Sequence, residues 1–264
     1  MLKKIKKNTS PLNVEPIIIS ETDDYLVINK PAGLAVHGGG NLKEATLADW
    51  LVFSYPKIKT VGDDQTRPGL VHRLDKDVSG LMVVAKTTAS FDALKSQFKD
   101  REVNKEYTAL VHGQIVKDED IIDFPIVRSQ AGYKMAAVPA GAEDLLTKSK
   151  PQGRDQGNIS SWFKSRTALT EFDVIQRFVN YTLLHIKIKT GRTHQIRVHF
   201  FAYGHPLVGD DLYQNKKSKI KNKKLQLGRV FLVADHLNFR DLQGKIQKFK
   251  IDLPAELQSF LPRH

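Results

Sequence analysis

Short runs rich in Ile and Val, each closed by turn residues, recur along this chain and decide what it can fold into. Pro16–Ser20, Tyr25–Asn29 and Leu81–Ala85 are of strand length, far short of the roughly 20 apolar residues that a bilayer crossing requires. Lys105–His112 starts polar and passes into Leu110 and Val111. Thr167–Ile175 and Tyr181–Lys189 read as two antiparallel strands joined near Phe178–Asn180. The second alternates Leu184, Ile186 and Ile188 against His185, Lys187 and Lys189. Arg229–Asp235 and Ile246–Leu253 read as two more. Helical spacing is sparser: Leu47, Trp50 and Leu51 after a polar start, then Phe91, Leu94 and Phe98. A third helix is predicted from Thr193 as N-cap, with Ile196, Phe200 and Tyr203 on one face and Gly204 and Pro206 as its stop. Strands outnumber helices and do not alternate with them, which predicts an α+β fold with a mostly antiparallel central sheet and flanking helices.

The 264 residues suit one large domain or two small ones. A single domain over 15–264 is expected, preceded by a flexible basic arm at 1–14 and interrupted by exposed insertions at about 140–157 and 214–228. The chain has no cysteine, which excludes disulfide frameworks, Cys-ligated metal sites and a thiolate nucleophile. Its first residues, MLKKIKK, are not followed by the apolar stretch of a secretory signal, so a cytoplasmic protein without a membrane partner is expected.

Lys and Arg number 41 against 29 Asp and Glu, a formal charge of +12. A surplus of that size argues for a polyanionic partner, nucleic acid first. It is uneven, with Lys3, Lys4, Lys6 and Lys7 at the start and Lys216, Lys217, Lys219, Lys221, Lys223 and Lys224 late in the chain. Neither cluster reads as an amphipathic helix, which places phosphate contact ahead of an anionic membrane.

Two segments carry chemistry. In Pro68–Gly80 an apolar stretch runs into Arg73-Leu74-Asp75 and a Lys-Asp-Val-Ser-Gly turn leads back to the strand at Leu81. Arg73 and Asp75 are two apart, so in extended chain they share a face. A carboxylate beside a guanidinium stays ionised, which suits a nucleophile better than a general acid. Turn capping or a structural ion pair is the alternative for such an Asp. In Thr190–Phe200 a strand ends, turns at Gly191 and starts a helix whose N-terminus has Arg192, His194 and Arg197 nearby, an anion site on physical grounds. His194 and His199 are five apart, poor spacing for two metal ligands on one helix face.

His72-Arg73-Leu74-Asp75-Lys76-Asp77-Val78-Ser79-Gly80 resembles the HRLD-x-x-TSG signature of RluA-type pseudouridine synthases. Val27–Gly33 with Val36-His37-Gly38-Gly39 resembles that family's N-K-P-x-G…V-H segment, and Lys105–Gly113 its K-x-Y-x-A-L-V-x-G segment. Thr190–His199 matches TGRTHQIRVH, and Gly204–Asp210 is similar to G-H-P-L-x-G-D. The likeness covers roughly residues 16 to 255. Departures are few: Val78 stands where Thr is usual, Gln214 where Gly is common, and Val233 where the late F-L-H-A strand has His.

The resemblance implies the pseudouridine synthase fold, with a catalytic cleft, and isomerisation of specific uridines in structured RNA. Ribosomal RNA is the first expectation and transfer RNA the second; no cofactor, metal or protein partner is implied, and a monomer is expected. Residue by residue, it implies that Asp75 is the catalytic aspartate, Tyr107 the tyrosine that stacks on the target base, and Arg197 the cation that pairs with Asp75. Arg73 takes over the space of the extruded base. His72, Lys30, His37, Arg192, His194 and Gln195 are the further candidates for RNA contact. Many relatives acting on large-subunit RNA carry an extra N-terminal RNA-binding domain, for which about 15 residues are too few. A non-catalytic RNA-binding module is the alternative reading. A metal-dependent nuclease using His72, Asp75, Asp77, Asp210 and Asp211 lacks a recognisable ligand spacing.

Overall fold

The computed structural model describes residues 10–38, 44–129, 134–139 and 165–261, so the first lysine cluster and the 140–157 insertion lie outside the described residues. The chain divides into two compact units, Met1–Val103 with Leu237–Lys250, and Asn104–His236 with Ile251–His264.

The first unit is built on β1 (Ile17–Glu21), β2 (Tyr25–Lys30) and β3 (Ser79–Ala85). β2 pairs antiparallel with both β1 and β3. All seven residues of β3 are buried, as befits a strand covered on both faces. Thr46 and Asp49 form a capping box that starts α1 (Leu47–Ser54). Thr87 and Ser90 do the same for α2 (Thr88–Asp100), which buries Phe91 and Leu94. The Gln97 amide of α2 exchanges two hydrogen bonds with the backbone of Arg240 (2.8 and 2.9 Å).

The second unit holds β4 (Asn104–His112), β5 (Glu119–Ile122), the short ribbon β6 (Ile126–Arg128) and β7 (Met135–Ala137), β8 (Thr170–Arg177) and β9 (Tyr181–Ile188). β4/β9, β8/β9 and β5/β8 are all antiparallel. The predicted hairpin closes where the Phe178 N–H donates to the Tyr181 carbonyl. Leu110, Leu183, Val208, Phe231, Val233 and Leu257 form its core.

β10 (Leu232–Arg240) runs from the second unit into the first, where β11 (Ile246–Lys250) pairs with it. It begins three residues later and ends five later than the sequence predicts. The cause is visible in Leu237 and Phe239, both buried: polar neighbours hide an alternation that continues the strand.

Three helices complete the second unit: α3 (Gln195–Ala202), α4 (Lys216–Leu225) and α5 (Ala255–Phe260). Thr193 is not the N-cap of α3. His194 occupies that position in the left-handed region (φ 56°) without a side-chain cap. The Arg192 N–H donates instead to Oε1 of Gln195 (3.0 Å), so a side chain from inside the helix closes the turn. α4 corrects a second expectation, since the late lysine cluster is helical. Among the described residues no helix is long and apolar enough to cross a membrane.

Candidate active-site residues

Asp75 sits on a loop that is anchored at both ends. At its start, Gly69 (φ +68°) lies so close to the Ala85 carbonyl and to Ile58 that a Cβ there has no room. Beyond it Leu74 is buried while Arg73 is exposed and Asp75 half-buried, the alternation that extended backbone requires. After Asp75 the chain turns, with the Val78 N–H donating to the Asp75 carbonyl (3.2 Å). The turn is fixed from outside by Lys30. Its side chain is fully buried, and its Nζ donates to the carbonyls of Pro31 (2.8 Å), Leu34 (2.8 Å) and Lys76 (3.2 Å). The Gly33 N–H reaches the same Lys76 carbonyl (2.8 Å). Lys30 therefore braces the loop that presents Asp75.

His72 is likewise engaged internally. Its Nε2 accepts from the Val83 N–H (3.1 Å), and its ring stacks on Phe98. At the surface Arg73 Nη1 donates to His37 Nε2 (3.1 Å), while His37 Nδ1 bonds the Gly38 carbonyl (2.9 Å). A guanidinium only donates and a carbonyl only accepts, so His37 accepts at Nε2 and donates from Nδ1. Together they make a polar pair, Arg73 exposed and His37 half-buried.

Tyr107 stands on β4 opposite Ile186 of β9, with its side chain buried. Lys105 lies two residues earlier, on the same strand face. Burial lowers its ammonium pKa to about 8, and its Nζ lies beside Gly191. Nothing in the sequence around Lys105 marks this burial.

The third neighbourhood is the turn into α3. Gln195 is buried and braces it: Oε1 accepts from the Thr190 hydroxyl (2.7 Å) and the Arg192 N–H, while Nε2 donates to the Leu169 carbonyl (2.9 Å) and Thr170 Oγ1 (3.0 Å). Thr170 in turn bonds His199 Nδ1 (3.0 Å), whose Nε2 bonds the Phe124 carbonyl (2.9 Å). Burial brings the His199 pKa down to about 4. Arg192 reaches the Thr167 carbonyl (3.3 Å), and His194 Nδ1 meets the Tyr213 hydroxyl (2.9 Å).

Arg197 makes a bidentate pair with Asp210: Nε to Oδ2 at 2.7 Å, Nη2 to Oδ1 at 2.9 Å, both side chains buried. Its guanidinium also lies over the ring of Tyr213 (5.4 Å). Asp210 is itself fixed by the N–H groups of Leu212 and Tyr213 (2.9 Å each). Asp210 and Tyr213 thus set the geometry of Arg197, a role the sequence alone does not reveal for either residue. The signal was present in the G-H-P-L-x-G-D likeness, whose last residue reads equally well as a plain turn. Among the described residues no group of three or more His, Asp or Glu is arranged to hold a metal ion.

The model of a family described as "RNA pseudouridylate synthase" matches residues 24–202. Similar proteins include an "Uncharacterized RNA pseudouridine synthase" of Aquifex aeolicus, 37% identical over 96% of this chain and 74% of its own length. The "Ribosomal large subunit pseudouridine synthase D" of Buchnera aphidicola is 33% identical over 95% of this chain and 74% of its own. Among solved structures, "Human RNA Pseudouridylate Synthase Domain Containing 4" superposes with a TM-score of 0.68 at 25% identity, covering 93% of this chain and 91% of that one.

Proposed function

Because the chain belongs to the RNA pseudouridylate synthase family and is an RNA pseudouridine synthase, we propose that Asp75 is its catalytic carboxylate, Tyr107 its base-stacking ring and Arg197 the cation that partners Asp75. The reaction breaks the bond between uracil N1 and ribose C1′, turns the base and joins C5 to C1′. A proton leaves C5 and one is taken up at N1, so composition and oxidation state are unchanged. What the chain must supply is a placed carboxylate, a surface that keeps the detached uracil from escaping, and fixed positive charge. The target nucleotide leaves its stack to enter, at a cost of a few kcal/mol that phosphate contacts and Arg73 offset.

One observation carries this reading. Asp75 is presented half-buried from a loop anchored by Gly69 and Leu74 on one side and by the buried Lys30 on the other. A loop whose Asp merely capped a turn has no need of a buried ammonium bracing the next residue. In this reading Lys30 and Gln195, both buried and bonded internally, act as supports, and Arg73 with His37 is the pair that meets RNA.

The substrate we propose is large-subunit ribosomal RNA, supported by the names of similar proteins, which are ribosomal large subunit pseudouridine synthases. With it go a cytoplasmic location and action as a monomer without a protein partner. The test is Asp75→Asn, which keeps size and polarity. Pseudouridine mapping on ribosomal and transfer RNA after incubation with purified protein should show product with the native chain and none with the variant, at similar RNA affinity. Undiminished product removes Asp75 from the chemistry, and product confined to transfer RNA replaces the substrate.

A further inference from the structure

α4 carries six lysines in ten residues, and no Asp or Glu occurs between Leu212 and Gly228. That composition works against the helix. Lys216, Lys217 and Lys219 crowd the positive end of the helix dipole. Lys217 with Lys221, and Lys219 with Lys223, are like charges one turn apart, each pair costing about 0.2–0.5 kcal/mol. Among the described residues none of the six lysines makes an ion pair, whereas Lys76, Lys95 and Lys117 elsewhere in the chain each hold a carboxylate.

The helix is held by other groups. Asn215 and Ser218 form a capping box at its start. On the inner face Asn222 is buried: its Oδ1 accepts from the Gly209 N–H (3.0 Å) and from His112 Nε2 (2.7 Å), and its Nδ2 donates to the Asp210 carbonyl (3.3 Å). Leu225 packs on the core. Lys221 alone leans inward, over the Tyr181 ring and toward Asn180. The other five ammonium groups stand on an exposed face, fixed through Asn222 to the residue whose carboxylate grips Arg197.

We propose that this exposed face of α4 is a docking surface for the phosphate backbone of the RNA substrate, an inference that rests on the RNA reading given above. Charge complementarity selects the occupant. A membrane-surface helix needs an apolar face to insert, and here the face opposite the lysines is already buried in the protein, leaving Ile220 as the single exposed apolar side chain of the helix. A polyanion meets the requirement without any apolar contact. Ten helical residues span about 15 Å, enough for several phosphates along one strand. Because α4 is capped and bonded through Asn222, those charges are presented in fixed register.

The test replaces Lys216, Lys217, Lys219, Lys223 and Lys224 with Gln in the full chain and leaves Lys221 in place. Binding to a ribosomal RNA fragment is measured by titration across a salt series. The expected result is a Kd raised at least tenfold near 0.15 M salt, with the slope of log K against log salt reduced by about 2 to 4. An unchanged Kd and slope overturn the proposal, as does an equal loss with five Lys→Gln changes made elsewhere on the surface. Circular dichroism and thermal unfolding accompany the titration; relief of like-charge repulsion should leave stability equal or higher. Pseudouridine formation by the native chain is scored separately. If it fails, the activity reading falls while the titration still decides the helix. Vesicles of anionic lipid serve as the second ligand, and tighter binding to them than to RNA also overturns it.

Discussion

Two buried cations, Lys30 in the first unit and Arg197 in the second, are held in different ways. Lys30 holds neutral backbone carbonyls, tying the loop at Pro31–Leu34 to the turn after Asp75. Arg197 holds a carboxylate, Asp210, in a two-bond ion pair. Removing a cation from carbonyls leaves dipoles that shift or take up water. Removing one from a buried carboxylate leaves a bare charge. The Asp75 region is thus built to tolerate insult, and the α3 region to fail sharply.

The sharpest way to break this contrast is Arg197→Met. It leaves Asp210 buried and unpaired, and should cost about 3–5 kcal/mol in urea unfolding. Arg197→Met combined with Asp210→Asn, which removes the bare charge but keeps an acceptor for the Leu212 and Tyr213 N–H groups, should recover part of that loss without restoring product. If the single variant costs no more than about 1 kcal/mol, the pair is not the support described.

Acidification comes next. His199 is buried neutral, with a pKa near 4 against about 6.5 in the unfolded chain. Between those values the unfolded state binds the extra proton, so this stability is complete above pH 6.5 and is lost as pH falls toward 4. The loss is on the order of 3 kcal/mol. It should appear as faster amide exchange in β8 and α3, which His199 joins, with β2 and β3 changing less. In His199→Gln the slope between pH 6.5 and 4 should flatten; an unaltered slope assigns it to another group.

The contrast also explains what the sequence made legible. Strands with clean alternation, such as β9, and the helices at Leu47 and Phe91 could be read because their pattern is local. The Asp75 loop could be read because its residues are contiguous. The role of Gln195 could not, since four bonds to Thr190, Arg192, Leu169 and Thr170 depend on where two segments fold back on each other. Asp210 and Tyr213 were hidden for the same reason. α4 escapes the sequence because six lysines obscure the spacing of its inward residues, the buried but polar Ser218 and Asn222 and the half-buried Leu225.

The smallest effect should come from Lys30→Met. The side chain is of similar length and the site keeps its apolar stem contacts, but three carbonyls lose an ammonium donor. Hydrogen bonds to a charged group are worth about 1.5–3 kcal/mol, and relief of ammonium burial offsets part of several such bonds, so a net cost of about 2 kcal/mol is expected. The informative readout is local. The Gly33 N–H, which shares the Lys76 carbonyl, should exchange faster, while amides of β8 and α3 keep their native rates. Product formation should fall as the turn after Asp75 loosens, without loss of RNA affinity. If instead affinity falls while Gly33 exchange is unaltered, Lys30 touches RNA after all, and its place beside Asp75 is contact rather than support.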